Sequence, residues 1–204
     1  MDFREFGRHL VGGFEYSNYR FAGKSSSLAM VFQVKNGRDF TPLTIHYHAR
    51  KGVKKLDNYL NFLLPEKGAL IGGVQRAKDS LELSRAFSKA TQGIPPHKNL
   101  YIAFAALMAE WSVPAVYGIR HVAHVFQGEA KTQYKYKLKN FNYDVFWQDV
   151  LEGEVVDDDR YQLSAPYQRK PLDEVNAKKR GKLKKRYLFM DALEANVREF
   201  AQHV

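Results

Sequence analysis

The 204-residue chain contains no cysteine. That absence excludes disulfide scaffolds, cysteine nucleophiles and thiolate metal sites. Long apolar runs are also lacking. The longest, which includes Leu100 to Met108, is about half of what a bilayer crossing needs. Met1 to Leu10 carries Asp2, Arg4, Glu5, Arg8 and His9, which is not the pattern of a secretory leader. No P-loop lysine motif, Rossmann fingerprint, internal repeat or low-complexity linker is found. A soluble, cytoplasmic protein without a membrane span is the expectation.

Acidic residues are in the minority, 22 Asp and Glu against 32 Lys and Arg, for a net charge of +10. The excess is concentrated. Tyr167 to Tyr187 holds nine Lys and Arg against only Asp173 and Glu174. Lys131, Lys135, Lys137 and Lys139 form a second cluster. Such patches attract phosphate groups on nucleic acid, cofactors or lipid, and acidic carrier proteins. A solvated helix face is the plain alternative.

Apolar residues make up 45% of the chain, with 14 Phe and 12 Tyr, enough to bury a core. A single domain over 1–204 is expected: an N-terminal segment 1–27, a sheet core 28–164, and a basic C-terminal helical segment 165–204. Leu28, Met30, Phe32 and Val34 alternate as a half-buried strand requires, and Leu43, Ile45, Tyr47 and Ala49 do so again after an Asn36-Gly37 turn. Leu56 to Leu64 and Ala69 to Arg76 read as two further strands, completing an antiparallel meander.

The period then lengthens. Leu83, Ala86, Phe87 and Ala90 fit one helix face, closed by Gly93. Leu100, Ala103, Phe104, Leu107, Met108 and Trp111 fit a second, closed by Pro114. Ala115 to Ile119 reads as a buried strand parallel to Ala69 to Arg76. Tyr134, Tyr136 and Leu138 suggest a strand with one basic face, and Asn142 caps a helix presenting Tyr143, Phe146, Trp147, Val150 and Leu151. Val156 to Arg160 reads as an acidic loop, and Leu183, Tyr187, Met190, Val197 and Phe200 mark a long amphipathic helix.

The ordered motifs PEKGALIGGVQRA, GIPPHKNL, YGIRHVAHVFQG, NYDVFWQDV and KPLDEVNAKKRGKLKKRY resemble those of the VirK/YbjX family over roughly Tyr47 to Tyr187. The resemblance implies a bacterial protein associated with virulence and envelope stress, and brings no settled reaction. The element order over Ala69 to Ile119 also resembles the GNAT acyltransferases, in which a helix N-terminus binds cofactor pyrophosphate beside two parallel, splayed strands. This resemblance implies an α/β fold: a mixed, largely antiparallel sheet with one parallel βαβ crossover, a GNAT-like core plus a C-terminal helix. Gly93-Ile94-Pro95-Pro96-His97-Lys98 replaces the usual loop of that group, and an additional helix precedes it. The donor therefore stays open among acyl-CoA, acyl carrier protein and aminoacyl-tRNA.

Several residues are candidates for the chemistry. His97 and Lys98 open a helix, where backbone N–H groups and the dipole favour an anion. Gly72 and Gly73 inside a strand suggest a bulge or a close ligand approach, with Gln75 and Arg76 at its end. The alternative there is close packing against the crossover helix. His121 and His124 lie three apart after a buried strand, and His124 is the preferred general base. Either histidine is otherwise satisfied by neighbours. Lys178, Lys179, Arg180, Lys182, Lys184, Lys185 and Arg186 are the candidates for nucleic-acid or carrier binding. Tyr143, Phe146 and Trp147 have core spacing. His46 and His48 share a strand face without a third ligand, and Asp157, Asp158 and Asp159 read as a solvated run, so no metal is expected. The expected function is acyl or aminoacyl transfer from a polyanionic carrier (tRNA, acyl carrier protein or coenzyme A) to an amine or hydroxyl on a small molecule or protein. The alternative is a non-catalytic VirK-like protein docking on anionic lipid, RNA or an acidic protein.

Overall fold

A computed structural model describes the backbone of residues 11–16, 20–21, 24–25, 28–34, 43–51, 54–63, 68–76, 81–123 and 142–202. Its strands are β1 (Val11–Tyr16), β2 (Arg20–Phe21), β3 (Lys24–Ser25), β4 (Leu28–Val34), β5 (Leu43–Lys51), β6 (Lys54–Leu63), β7 (Ala69–Arg76), β8 (Val116–Ile119), β9 (Glu154–Val155) and β10 (Arg160–Leu163). The helices are α1 (Leu81–Ala90), α2 (Pro96–Glu110), α3 (Tyr143–Val145), which continues as a π-helical turn over Phe146–Val150, and α4 (Ala177–Gln202).

Eight strands form one mixed sheet in the order β1-β4-β5-β6-β7-β8-β10-β9, while β2 and β3 pair separately. The meander β4-β5-β6-β7 is antiparallel, as strands joined by short turns predict. β8 lies parallel to β7, with Ala69, Leu70 and Ile71 opposite Val116, Tyr117 and Gly118. The two crossover helices between these strands account for the parallel pair, since parallel neighbours need a long connection.

Two edges of the sheet escape the sequence pattern. β1 pairs with β4 inside the segment given no strand, because Gly12 and Gly13 interrupt the apolar alternation. β9 and β10 flank the acidic turn Val156 to Asp159, and at two and four residues they are too short to show a period.

α2 is the hub of the core. Leu100 to Leu107 and Met108 are buried along it, so it is apolar all round, as a central helix must be. One side packs on β5, β6 and β7, and another on α4, which contributes Phe189, Met190, Leu193 and Val197. α2 thus lies between the sheet and α4, and its start comes to the basic half of α4. No helix among the described residues is long and apolar enough to cross a membrane.

Candidate functional site

α1 stops because two successive residues, Gln92 and Gly93, take positive φ angles of 58° and 86°. Glycine makes that turn without strain. Its bare Cα also makes room for a cation: a Cβ at Gly93 would stand 2.9 Å from Arg186 Nη2. Arg186 Nε donates to the Gln92 carbonyl at 3.2 Å, and the Lys182 stem passes beside the same glycine. Thr91 braces the turn from inside, its hydroxyl 2.7 Å from the Ile94 carbonyl.

α2 begins at Pro96 without a side-chain cap, so its first backbone donors belong to His97 and Lys98. His97 meets Phe146 edge-on, with ring centroids 5.1 Å apart. The Lys98 ammonium donates to the Val150 carbonyl at 2.8 Å and lies 4.7 Å from the centre of the Tyr167 ring. Burial lowers its pKa, Glu152 opposes that shift, and Arg186 reinforces it. Lys98 and Arg186 therefore share one electrostatic environment. Tyr167 stands edge-on to Tyr101, whose hydroxyl donates to the Ser164 carbonyl at 3.0 Å.

Some other cations of the described residues are already matched by acids. Arg169 bridges Asp191 and Glu194, Arg160 pairs with Asp157, and Arg198 with Glu110. No ion pair among the described residues engages Lys98, Lys182 or Arg186. The result is a cationic corner bordered by Tyr167 and Tyr187, from which the exposed lysines of α4 continue.

The second predicted locus lies at the ends of β7 and β8. The β6–β7 register passes from Asn61 opposite Gly73 to Phe62 opposite Ile71, so Gly72 is the extra residue of a β-bulge. A Cβ there would meet nothing within 4 Å, whereas Gly73 is buried. Past Ile71, β7 no longer pairs with β8. The aromatic segment stands at this parting. A backbone hydrogen bond from Val74 reaches Tyr143, and burial raises the Tyr143 pKa. Trp147 donates to the Ile119 carbonyl at 2.8 Å, and Tyr143 stacks on it at 5.9 Å. The backbone N–H of His121 donates to Asp144 Oδ1 at 2.8 Å, and the His121 ring stands 6.3 Å from Tyr143.

The structure therefore unites Lys98 with Lys182 and Arg186, three residues the sequence assigned to two separate sites. Lys178, Lys179, Arg180, Lys184 and Lys185 continue outward along α4, all exposed. His121 belongs to the other locus with Tyr143 and Asp144. Gln75 and Arg76 lie in β7 opposite Tyr59 and Asn58, and their side chains fall outside the described residues. His124, Tyr134, Tyr136 and the lysine cluster Lys131 to Lys139 also lie outside them. Tyr143, Phe146 and Trp147 are core residues, at most 2% exposed.

Sequence reasoning missed Tyr167 and Tyr187 at the border of the cationic corner, Glu152 as the acid whose charge acts on Lys98, and Asp144 as the acceptor for the His121 backbone. No local pattern marks them, because Lys98 and Val150 are 52 residues apart and Arg186 and Gln92 are 94 apart.

A family model described as "Protein of unknown function (DUF535)" matches residues 40–199. An uncharacterized protein of Haemophilus influenzae is 30% identical over 158 residues, covering 76% of this chain and 52% of that protein. The uncharacterized protein YbjX of Escherichia coli K12 is 32% identical over 129 residues, covering 61% of this chain and 38% of that protein. The chain thus spans about half or less of the curated relatives it matches. No solved structure matches the chain.

Proposed function

The chain belongs to the DUF535 family, the VirK/YbjX group to which its motifs pointed, and from that premise we propose that it docks a phosphate-bearing carrier and transfers an acyl or aminoacyl group from it. The observation that carries the docking step is the packing of Lys182 and Arg186 on the Gly93 turn, with Lys98 in the electrostatic reach of Arg186 and none of the three in an ion pair among the described residues. A partly desolvated cation beside a helix start gains most from an anion, which restores the charge balance that burial removes.

The transfer step is supported by the parallel β7–β8 pair that parts after Ile71, next to a bulge at Gly72. That arrangement resembles the cleft of GNAT acyltransferases. With no cysteine for a thioester relay, the acceptor amine or hydroxyl attacks the acyl carbonyl directly, the carrier leaves, and His124 takes the acceptor proton. Strand backbone near Gly73 would orient the donor and stabilise the oxyanion.

A second reading is a binding protein without turnover. It is favoured by Tyr143 and Trp147, which occupy the parting of β7 and β8 where a donor arm would lie.

A thermal-shift panel at moderate salt tests both, with coenzyme A, acyl carrier protein and bulk tRNA as probes. A carrier at 100 times its Kd adds about 2.7 kcal/mol of stability. A saturable shift with one carrier supports the docking step, and loss of turnover with retained binding in His124→Ala supports the transfer step. Shifts with every polyanion that vanish on adding salt favour the second reading.

A further inference from the structure

α4 is built against its own electrostatic interest. Its first turns carry Lys178, Lys179 and Arg180 with no acid in the first turn, although a helix N-terminus repels cations. Lys178, Lys182, Lys185 and Arg186 then follow at spacings that stack them on one side, where like charges destabilise a helix. No residue of α4 before Phe189 is buried. Lys178, Lys182 and Lys185 are exposed and have no acid partner among the described residues.

The stripe has length and direction. At about 1.5 Å of rise per residue, Lys178 to Arg186 spans roughly 12 Å. It ends where Lys182 and Arg186 pack on Gly93, beside Lys98 at the start of α2. A pyrophosphate fills one compact site and leaves most of such a track unused. A single nucleic-acid strand instead presents a row of successive phosphates, and about three of them match a track of this length.

We propose that the α4 stripe docks a single RNA strand whose terminal phosphates enter the Lys98–Arg186 corner. The proposal rests on the carrier reading above and names the carrier as RNA. Phosphates along the stripe offset both the repulsion among the lysines and the unfavourable helix end.

The test is fluorescence anisotropy of a short fluorescein-labelled oligouridylate over a salt series. Each phosphate neutralised on a single strand contributes about −0.7 to the slope of log affinity against log salt. Three engaged phosphates predict a slope near −2. Lys182→Ala with Lys185→Ala makes that slope shallower by about 1.4, while Arg160→Ala with Arg198→Ala, an equal loss of positive charge outside the corner, leaves it unchanged. Equal effects of the two pairs, or no binding of the oligouridylate, overturn the proposal. If acyl carrier protein or phosphatidylglycerol vesicles bind in its place and are lost with Lys182 and Lys185, the RNA assignment falls. The carrier reading then survives for the carrier protein alone. Absence of binding to every probe removes both.

Discussion

The indole of Trp147 lies flat against Gly118. A Cβ at Gly118 would stand 2.7 Å from two ring carbons, while the ring N–H donates to the Ile119 carbonyl at 2.8 Å. One missing side chain on β8 thus admits the largest fully buried residue among those described and fixes the aromatic segment to the sheet.

Gly118→Ala is therefore expected to destabilise the protein by about 1–3 kcal/mol, the usual cost of overfilling a packed site. Denaturant unfolding checks this: the midpoint should fall while the slope stays constant. An unchanged midpoint would mean that the ring can yield.

Gly181 has the opposite character. It sits inside α4, and a Cβ there meets nothing within 4 Å. Gly181→Ala should stabilise the chain by about 0.5–1 kcal/mol, because glycine in a helix interior costs that much relative to alanine. A higher Tm with unchanged near-ultraviolet dichroism is the expected result.

Stability should fall on the alkaline side. Burial, aided by Glu152, pushes the Tyr167 phenol up to about 12, and burial pushes Tyr101 up as well. A phenol with a raised pKa favours the fold below its unfolded value of about 10, and that stabilisation is lost as pH rises toward the folded value. Unfolding midpoints measured from pH 9 to 12 (approximate limits set by these pKa values) should decline, and less steeply in Tyr167→Phe. A decline of equal steepness in the variant would remove Tyr167 as a contributor.

Lys98→Met should weaken carrier binding by at least about tenfold, or 1.4 kcal/mol, if Lys98 bonds an anion directly. Stability should change little, since the lost bond to the Val150 carbonyl is offset by relief from burying a charge. Because burial lowers the lysine pKa, carrier affinity should also fall with rising pH at a lower value than for an exposed lysine. Calorimetric titration of the wild type and Lys98→Met over an alkaline pH series measures both effects. Equal affinities would exclude Lys98 from the site.

The fold was largely legible where an apolar period or run marks an element. β4 and β5 fall where the alternation placed them, β6 to β8 close to the runs read as strands, and α1, α2 and α4 where the longer period did. Asn142 does cap its helix, accepting from the Val145 N–H at 3.2 Å. The π-helical turn after it was not legible, because the residues suit an ordinary helix and only packing of Phe146, Trp147 and Leu151 in the core selects the wider turn. Gly72 and Gly73 announced a local irregularity, but not which of the two would bulge; the pairing with β6 decided that.

The cationic corner divides along the same line. Composition and order alone determined that positive charge gathers in the C-terminal segment and that Lys98 opens a helix, since both are properties of neighbours in the chain. Only the tertiary structure decided which cations are matched by acids, as Arg169 is, and which are left facing one another, as Lys98 and Arg186 are. Hydrophobic periodicity records which face of a helix is buried but not which helix covers it. The partners across 52 and 94 residues are therefore fixed by packing α2 against α4, and by nothing local to either.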